Sequence, residues 1–389
     1  MTKNTFPVIL LQMKISQTLF SRRKFIKTGL MGAGALALLP YIKRTQVPIF
    51  NKLMASIEWP DSPQLGRVCM GKVEIKAKPS FESQTTKVIY DNAVVAWLRE
   101  VIGEPNLNRG KNRRWVETPD GYIYAPDLQF CKNLQNKPVT SLPDNPSGKG
   151  MWAEVTVPLV NVSLVNPPAK SGVLKDPNRP FGLYYGEIYW IDDVKTVNGN
   201  VLYRVVEKHG SPGDMFWADS AGFRKITEQD LKPIRPDVTD KKVVIDVGYQ
   251  TLACYEGKSE VYFCRVSTGA KFDSNGNSVD KWSTPVGLYH SIARKYISIH
   301  MSGGSAASGY ELFGVSWTSI FATGGVAIHA TYWHNNYGEP MSHGCVNATP
   351  EDSKFVYLWS QPLVPYDDGK IEISGYDGTK VQVIDSTAF

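Results

Sequence analysis

From residue 66 to residue 384 the apolar runs are short, alternate in polarity and stop at Gly, Pro, Asn or Asp. This punctuation narrows the fold more than any other feature. An alternating run suits a half-buried strand, whereas a helix needs apolar positions three and four apart over a longer stretch. Val73-Glu74-Ile75-Lys76, Ile188-Tyr189-Trp190-Ile191 and Ser259 to Val266 read as strands on this ground. One segment reads otherwise: Thr349 as N-cap, Pro350 at the first helical position and Asp352 in the first turn predict a helix over 350–359. The expected fold class is therefore mainly β, with one clear helix near the end.

The same punctuation divides the chain. Residues 66–133 form one β-rich segment, in which Asp120-Gly121 before Tyr122-Ile123-Tyr124 signals a turn. Residues 134–150, rich in Pro, Asn, Ser, Gly and Lys, read as a linker. A last domain covers 240–386. Before it, a second β-rich segment covers 151–238, as a module of its own or as an extension packed on that last domain. The order Trp, turn, Gly-aromatic, strand, Asp-Leu at Trp115 to Leu128 returns between Trp217 and Leu231, a faint internal repeat.

The first residues read as targeting rather than fold. Ser21-Arg22-Arg23-Lys24-Phe25 is followed by an apolar, Gly- and Ala-rich run to Leu39, and the whole of 1–44 resembles a twin-arginine (Tat) export signal. It is either cleaved or kept as a membrane anchor, translation starting at Met1 or Met13, and 45–65 is a linker. Residues 1–44 hold eight Lys or Arg and no acid, so the rest of the chain carries 35 basic against 37 acidic residues. The basic balance belongs to the leader, and composition gives no case for nucleic-acid binding. The run Arg109-Gly110-Lys111-Asn112-Arg113-Arg114 reads as a solvated loop.

Chemistry concentrates in one place. Three of the six histidines and one of the five cysteines fall between Ile328 and Asn347. Cys345 follows His343 by two residues with Gly344 between them, a spacing that lets the chain turn tightly enough to bring thiol and imidazole together. Cys345 is the candidate nucleophile and His343 its general base, because a free thiol is mostly protonated at neutral pH. The Gly344 and Cys345 N–H groups are placed to meet an oxyanion. His329, His334, His343 and Cys345 could alternatively bind zinc, although their spacing matches no common finger.

His329 with Ser342-His343-Gly344-Cys345-Val346-Asn347 resembles the signature of the YkuD-type L,D-transpeptidase catalytic domain, over roughly 240–386. Val244-Ile245-Asp246-Val247, Gln250-Thr251-Leu252, Arg265-Val266-Ser267-Thr268-Gly269 and Ser283-Thr284-Pro285-Val286-Gly287 agree in order. The chain departs from the pattern at Ala330, where Gly is usual, and at Asn347, where Arg is frequent. The resemblance implies a β-sandwich-like domain with Cys345 at the mouth of a groove. The reaction it implies is acyl transfer from the third residue of a donor peptidoglycan stem to an amine of an acceptor stem, without cofactor or metal. It further implies that His329 orients the donor and supports the transition state, that Ser342 holds the His343 ring, and that Tyr332, Trp333 and Asn347 touch substrate. Water as acceptor would make the protein an L,D-carboxypeptidase, and a degenerate site would leave an exported wall-binding or metal-binding module.

Residues 66–133 resemble a bacterial SH3-like barrel, and 151–238 could be a second. The implied setting is the extracytoplasmic cell envelope, with stem peptides and the Tat machinery as partners. Met301 to Tyr310, rich in Gly and Ser, suits a lid or a plain loop. Cys69 with Cys131 and Cys254 with Cys264 are candidate disulfides, or simply buried thiols, and Cys345 is the odd one out.

Overall fold

The computed structural model describes residues 58–388 except 70, 177–180, 271–281, 304–308 and 376. The expected export signal with its start codon and most of the expected 45–65 linker lie outside the described residues, as do the central residues of the 301–310 segment. Among the described residues no helix is long and apolar enough to cross a membrane.

The first module runs β1 (Leu65–Val68), β2 (Val73–Lys76), β3 (Thr85–Ile89), β4 (Val94–Ala96) and β5 (Arg99–Ile102). It continues with β6 (Arg114–Thr118), β7 (Gly121–Tyr124), a 3₁₀ turn (Ala125–Asp127) and β8 (Leu128–Cys131). Val68, Ile75, Trp97, Val116, Ile123 and Leu128 fill its core. Gly121 cannot carry a side chain, because a Cβ there would stand 2.4 Å from the Lys76 carbonyl of β2.

The second module runs β9 (Met151–Val155), β10 (Leu159–Leu164), β11 (Gly182–Tyr184) and β12 (Ile188–Val197). It continues with β13 (Asn200–Val206), β14 (Met215–Asp219), a 3₁₀ turn (Ser220–Gly222) and β15 (Phe223–Lys225). The β12–β13 hairpin closes through Asn198-Gly199, both at positive φ (52° and 82°), the two-residue turn whose twist matches that of paired strands.

The pairings of the two modules coincide. β1 lies between β4 and β8 as β9 lies between β12 and β15. β6 joins β5 to β7 as β13 joins β12 to β14. A hairpin from the first connection, β2–β3 or β10–β11, pairs with β7 or β14. Where the first module breaks its strand between β4 and β5, the second has a register slip between Ile191 and Asp193. The modules do repeat a topology, but one strand out of the frame the tryptophans suggest, for Trp115 lies in β6 whereas Trp217 lies in β14, the counterpart of β7. Residues 134–150 contain no strand, yet Val139 and Leu142 pack on the second module's core and the Val139 N–H donates to Tyr203 Oη at 2.7 Å, so this linker is laid along the module rather than left free.

The last domain has two five-stranded sheets. One contains β16 (Lys241–Asp246), β17 (Thr251–Glu256), β18 (Ser259–Arg265), β19 (Gly287–Ser291) and the closing β25 (Lys380–Ile384). The other contains β20 (Arg294–Gly303), β21 (Tyr310–Ala322), β22 (Val326–Ala330), β23 (Val346–Ala348) and β24 (Lys370–Glu372). Helix α1 (Pro350–Trp359) follows β23, its N-cap Thr349 accepting the Asp352 N–H at 3.1 Å. Val243, Leu252, Ile328, Val346, Val356 and Val381 form a core shared by both sheets and α1. At the helix C-terminus two buried lysines meet carbonyls that lack intrahelical partners: Lys295 Nζ donates to the Ser360 and Pro362 oxygens at 2.9 Å, and Lys241 Nζ to Trp359 O at 2.8 Å. Burial pulls the Lys295 ammonium well below its usual pKa.

Trp152, Ile188, Trp190 and Ile226 share one core with Ile297, Trp317, Ala330 and Tyr357. Segment 151–238 is therefore packed on the last domain and also has a module core of its own, which joins the two options that sequence leaves open.

Candidate active site

The site is built on the parallel pair β22–β23, in which Ile328 faces Val346 and His329 faces Asn347. Side chains alternate along a strand, so Ile328 and Val346 share the core face. His329 and Asn347 share the other, and Cys345 lies in the bend that leads directly into β23. The Ala327 N–H on β22 points at the Cys345 sulfur, and Gly325 O lies 3.8 Å from it. Cys345 is partly exposed, and burial holds its thiol above the ordinary value, partly offset by the Ala327 N–H. The resting sulfur is a neutral thiol.

The turn before Cys345 is braced from several sides. Gly344 has φ 119°, a conformation other residues rarely adopt, although a Cβ there would meet no atom closer than 3.8 Å. The backbone, not space, demands glycine. Ser342 Oγ donates to the Cys345 carbonyl and accepts the Gly344 N–H at 3.1 Å, so its hydroxyl stitches the turn itself. In the free protein the Gly344 N–H expected to meet an oxyanion is thus engaged. Thr284 Oγ1 donates to Gly344 O at 2.9 Å and accepts the Gly269 N–H at 2.9 Å. Ser267 exchanges two backbone hydrogen bonds with Asn347, and the Ala270 N–H donates to Ser342 O. Gln250 holds Thr268 through both ends of its amide. The upstream motif segments, which carry no evident chemistry, are the frame of this turn.

The three histidines occupy different environments. His329 is 2% exposed and its Nδ1–H donates to the Ala330 carbonyl at 2.9 Å, which leaves a lone pair on Nε2. Burial pushes its pKa down to about 4. His334 is equally buried and pushed down to about 3, by burial and then by the neighbouring His329. Its Nδ1 accepts the Asn336 N–H at 3.2 Å, and the Asn347 Nδ2 amide group stands 2.8 Å from its Nε2. His343 is exposed, its ring resting 4.2 Å from Trp282 and 5.2 Å from Tyr310 between centroids. The Tyr310 phenol is raised by burial and then by the nearby Cys345, which puts this aromatic cluster beside the sulfur.

Two of the expected substrate contacts are buried side chains with partners of their own. Asn347 is 1% exposed and serves His334, while Tyr332 is buried and accepts the Phe313 N–H at 3.1 Å. Trp333 is half-buried, its ring 5.7 Å from that of His329. His334, read as a packing residue, is a buried polar pivot.

The basic run 109–114 is also corrected, since it grips the loop leading into the active turn. The Lys111 N–H donates to Glu339 Oε1 at 2.5 Å, Asn112 Nδ2 to Asn336 Oδ1 at 3.2 Å, and Arg114 Nη2 to Asn335 Oδ1 at 3.1 Å. These partners are more than 200 residues away in sequence, beyond the reach of any local pattern.

All five cysteines are free thiols. Cys254 faces Tyr262 and Cys264 faces Leu252, so the two sit diagonally on neighbouring strands rather than opposite one another. Among the described residues no three His, Cys, Asp or Glu side chains converge in a way that could hold a metal ion.

Comparison with known proteins bears on residues 240–383, which match the family described as the L,D-transpeptidase catalytic domain, YkuD. No curated protein matches the sequence at a significant level. Among solved structures, the chain is 19% identical to an L,D-transpeptidase mutant from Enterococcus faecium, covering 38% of this chain and 51% of that one with a TM-score of 0.28. It thus spans about half the length of that protein. It is 16% identical to an L,D-transpeptidase from Mycobacterium smegmatis, covering 57% of this chain and 99% of that one with a TM-score of 0.28. The figures for L,D-transpeptidase 3 from Mycobacterium tuberculosis are 16%, 45%, 76% and 0.28. Residues 240–383, which contain the thiol and its histidines, are thus the part of the chain that matches the YkuD-type L,D-transpeptidase catalytic domain.

Proposed function

We propose that the chain is a peptidoglycan L,D-transpeptidase working through a thioester on Cys345. The reading is carried by one observation: a partly exposed thiol directly before β23 rests against β22, the strand that carries a buried imidazole with a lone pair on Nε2. On that ground His329, rather than the sequence-adjacent His343, takes the thiol proton. Because the thiol and the imidazole are both neutral at rest, the proton moves only as the sulfur attacks. Attack falls on the carbonyl of the donor stem's third residue. The oxyanion is met by the Cys345 N–H and by the Gly344 N–H, which turns to it from Ser342 Oγ. Collapse breaks the peptide bond, and His329 passes its proton to the departing D-amino acid.

In the second half an acceptor amine attacks the thioester, loses a proton to His329 and leaves the sulfur as the thiol again. His343, with Trp282 and Tyr310, forms the rim where the acceptor is oriented. The export signal and the wall substrate agree with an extracytoplasmic setting reached by the Tat route. The two modules, with strand order and 3₁₀ turns in common, are read as SH3-like supports of the catalytic domain.

Intact-mass measurement after incubation with a stem tetrapeptide and with a carbapenem tests the reading. An adduct on Cys345 is expected from both, and its absence together with stoichiometric zinc would favour a degenerate metal-binding module. Muropeptide products separate the two acceptors: crosslinked dimers for an amine, trimmed monomers for water.

A further inference from the structure

The β20–β21 hairpin carries a break in its pairing. Ile299 faces Val315 and Met301 faces Leu312, so His300 alone stands opposite Phe313 and Gly314, a β-bulge. Gly314 sits there at φ 56°, and a Cβ on it would meet the Tyr189 ring of the second module at 2.6 Å. The bulge is thus docked on that module. The segment between β13 and β14 reaches both strands at this point: Glu207 Oε1 accepts the Gly314 N–H at 2.7 Å, Glu207 Oε2 meets His300 Nδ1 at 2.8 Å, and His209 O accepts the His300 N–H at 2.9 Å.

The other ring nitrogen of His300, Nε2, lies 3.4 Å from Glu311 Oε1, and Glu311 Oε2 accepts the Val173 N–H at 3.2 Å. Ionised carboxylate oxygens accept and do not donate, so a ring that meets one at each nitrogen carries both protons. The side chains of His300 and Glu207 are each 2% exposed and that of Glu311 17%. An imidazolium is therefore buried between a carboxylate of the second module and one of the catalytic domain. Burial opposes its charge, but Glu207, Glu311 and Asp214 outweigh that, and the ring's pKa stands above the ordinary value. Asp214 is itself tied to the Lys170 and Ser171 N–H groups at 2.9 and 2.7 Å. Burial raises the Glu207 carboxyl, with His300 and the Gly314 N–H working against it, and the nearby Glu187, pushed up to about 8, is largely neutral at pH 7.

Glu311 is joined by one peptide unit to Tyr310, and such neighbours on a strand point to opposite faces. Glu311 faces His300 and the second module. The Tyr310 ring lies 5.2 Å from that of His343, and its phenol is raised by burial and then by the nearby Cys345. Where Glu311 is held decides where Tyr310 stands. We propose that His300 is a positioning residue for the transfer half of the reaction, clamping Glu311 so that Tyr310 packs against His343 on the rim that orients the acceptor amine. This rests on the transpeptidase reading and adds a control to it, the share of thioester passed to an amine rather than to water. Loss of one ring proton leaves a lone pair facing a carboxylate, and the longer contact, to Glu311, is the one that opens. Transfer should then lose ground to hydrolysis as pH rises through the ring's midpoint.

The experiment gives the full chain a tetrapeptide donor with and without an amine acceptor, from about pH 6 to about pH 9, a range that spans the charge change of an imidazole with a raised midpoint. Intact mass reads acylation of Cys345, and product analysis reads crosslinked dimers against trimmed monomers. Glu311→Ala is expected to leave acylation unchanged and to lower the dimer-to-monomer ratio about fivefold or more, because small displacements of orienting groups are costly. In Glu311→Gln the amide accepts from the charged ring and donates to the neutral one, so the contact persists at every pH. Its ratio should match that of the wild type at the acid end and exceed it at the alkaline end, and this comparison decides the matter if Glu311→Ala does not fold. An unchanged ratio in Glu311→Ala, equal losses of acylation and transfer, or parallel profiles for Glu311→Gln and the wild type overturn the proposal. So do trimmed monomers alone from the wild type, which leave acylation itself standing. No acylation by the donor or by a carbapenem would instead refute the transpeptidase reading, and the proposal with it.

Discussion

His329 and Asn347 are direct partners across the parallel β22–β23 pair, and the two side chains serve different imidazoles. His329 is held by its own neighbour's carbonyl, whereas Asn347 reaches the Nε2 of His334 at 2.8 Å. The result is a buried polar layer on β22 and β23, while His343 is exposed.

This division of labour separates the two candidate bases. Cys345→Ala should form no thioester. His329→Gln should slow acylation by a stem donor about 10²- to 10⁴-fold, the usual range for a lost general base. His343→Gln should cost about tenfold or less in acylation and more in transfer to an amine. Time-resolved intact mass with and without acceptor measures each step, and equal acylation losses in the two variants would undo the assignment.

The raised thiol makes a prediction about reactivity. Alkylation by iodoacetamide reports the thiolate, so its rate at Cys345 should keep climbing with pH past the midpoint of an ordinary thiol. A plateau reached below that midpoint would reveal a preformed thiolate–imidazolium pair and contradict the neutral resting state.

Stability should depend on pH through the same buried layer. His329 and His334 have folded pKa values of about 4 and about 3, below the unfolded value of 6.5, so their contribution is present above about 6.5 and lost as pH falls. Each ring gives a slope of about 1.4 kcal/mol per pH unit in that window. Glu187, raised from 4.5 to about 8, acts in the opposite sense, its contribution being lost as pH rises between those values. Burial raises Asp127, Glu207 and Glu351 too, and they act with Glu187, so the rings' share of any fall in denaturant midpoint from pH 6.5 towards 4.5 is read by difference. His334→Gln should make that fall shallower, and an unchanged profile would contradict the burial argument.

The clasp between the first module and the active loop predicts an effect at a distance. Asn112→Ala combined with Glu339→Ala removes two of its bonds without opening a core. Acylation should slow about tenfold, since small displacements of catalytic groups are costly, while the thermal midpoint moves by only a few degrees. An unaltered rate would show that the clasp is structural only.

Trp152 lies fully buried in the core that joins the second module to the catalytic domain. Trp152→Ala should cost about 3–5 kcal/mol. Denaturation followed by fluorescence and by activity should shift together, because one core serves both parts. Separate transitions would show that the module folds independently.

Much of this was legible in one dimension. The short alternating runs implied strands, and Thr349-Pro350 implied a helix whose observed limits, Pro350–Trp359, are those expected. The strand pairings hold a repeat, one strand out of the frame that the tryptophan-to-Asp-Leu order suggested. These signals are local, resting on side-chain period, capping and turn chemistry, which act between neighbours in sequence. The basic run 109–114 was illegible for the converse reason, because its partners lie on a loop more than 200 residues further on.

The sequence by itself determined that Cys345 stands in a glycine-bearing turn between a strand and a capped helix, in a mainly β chain. Only the tertiary structure decided which imidazole is buried and which is exposed, since strand register, not sequence distance, sets which side chains meet across a sheet. His343 is two residues from Cys345 and exposed, while His329, sixteen residues away, is buried opposite Asn347 by a parallel pairing formed at long range.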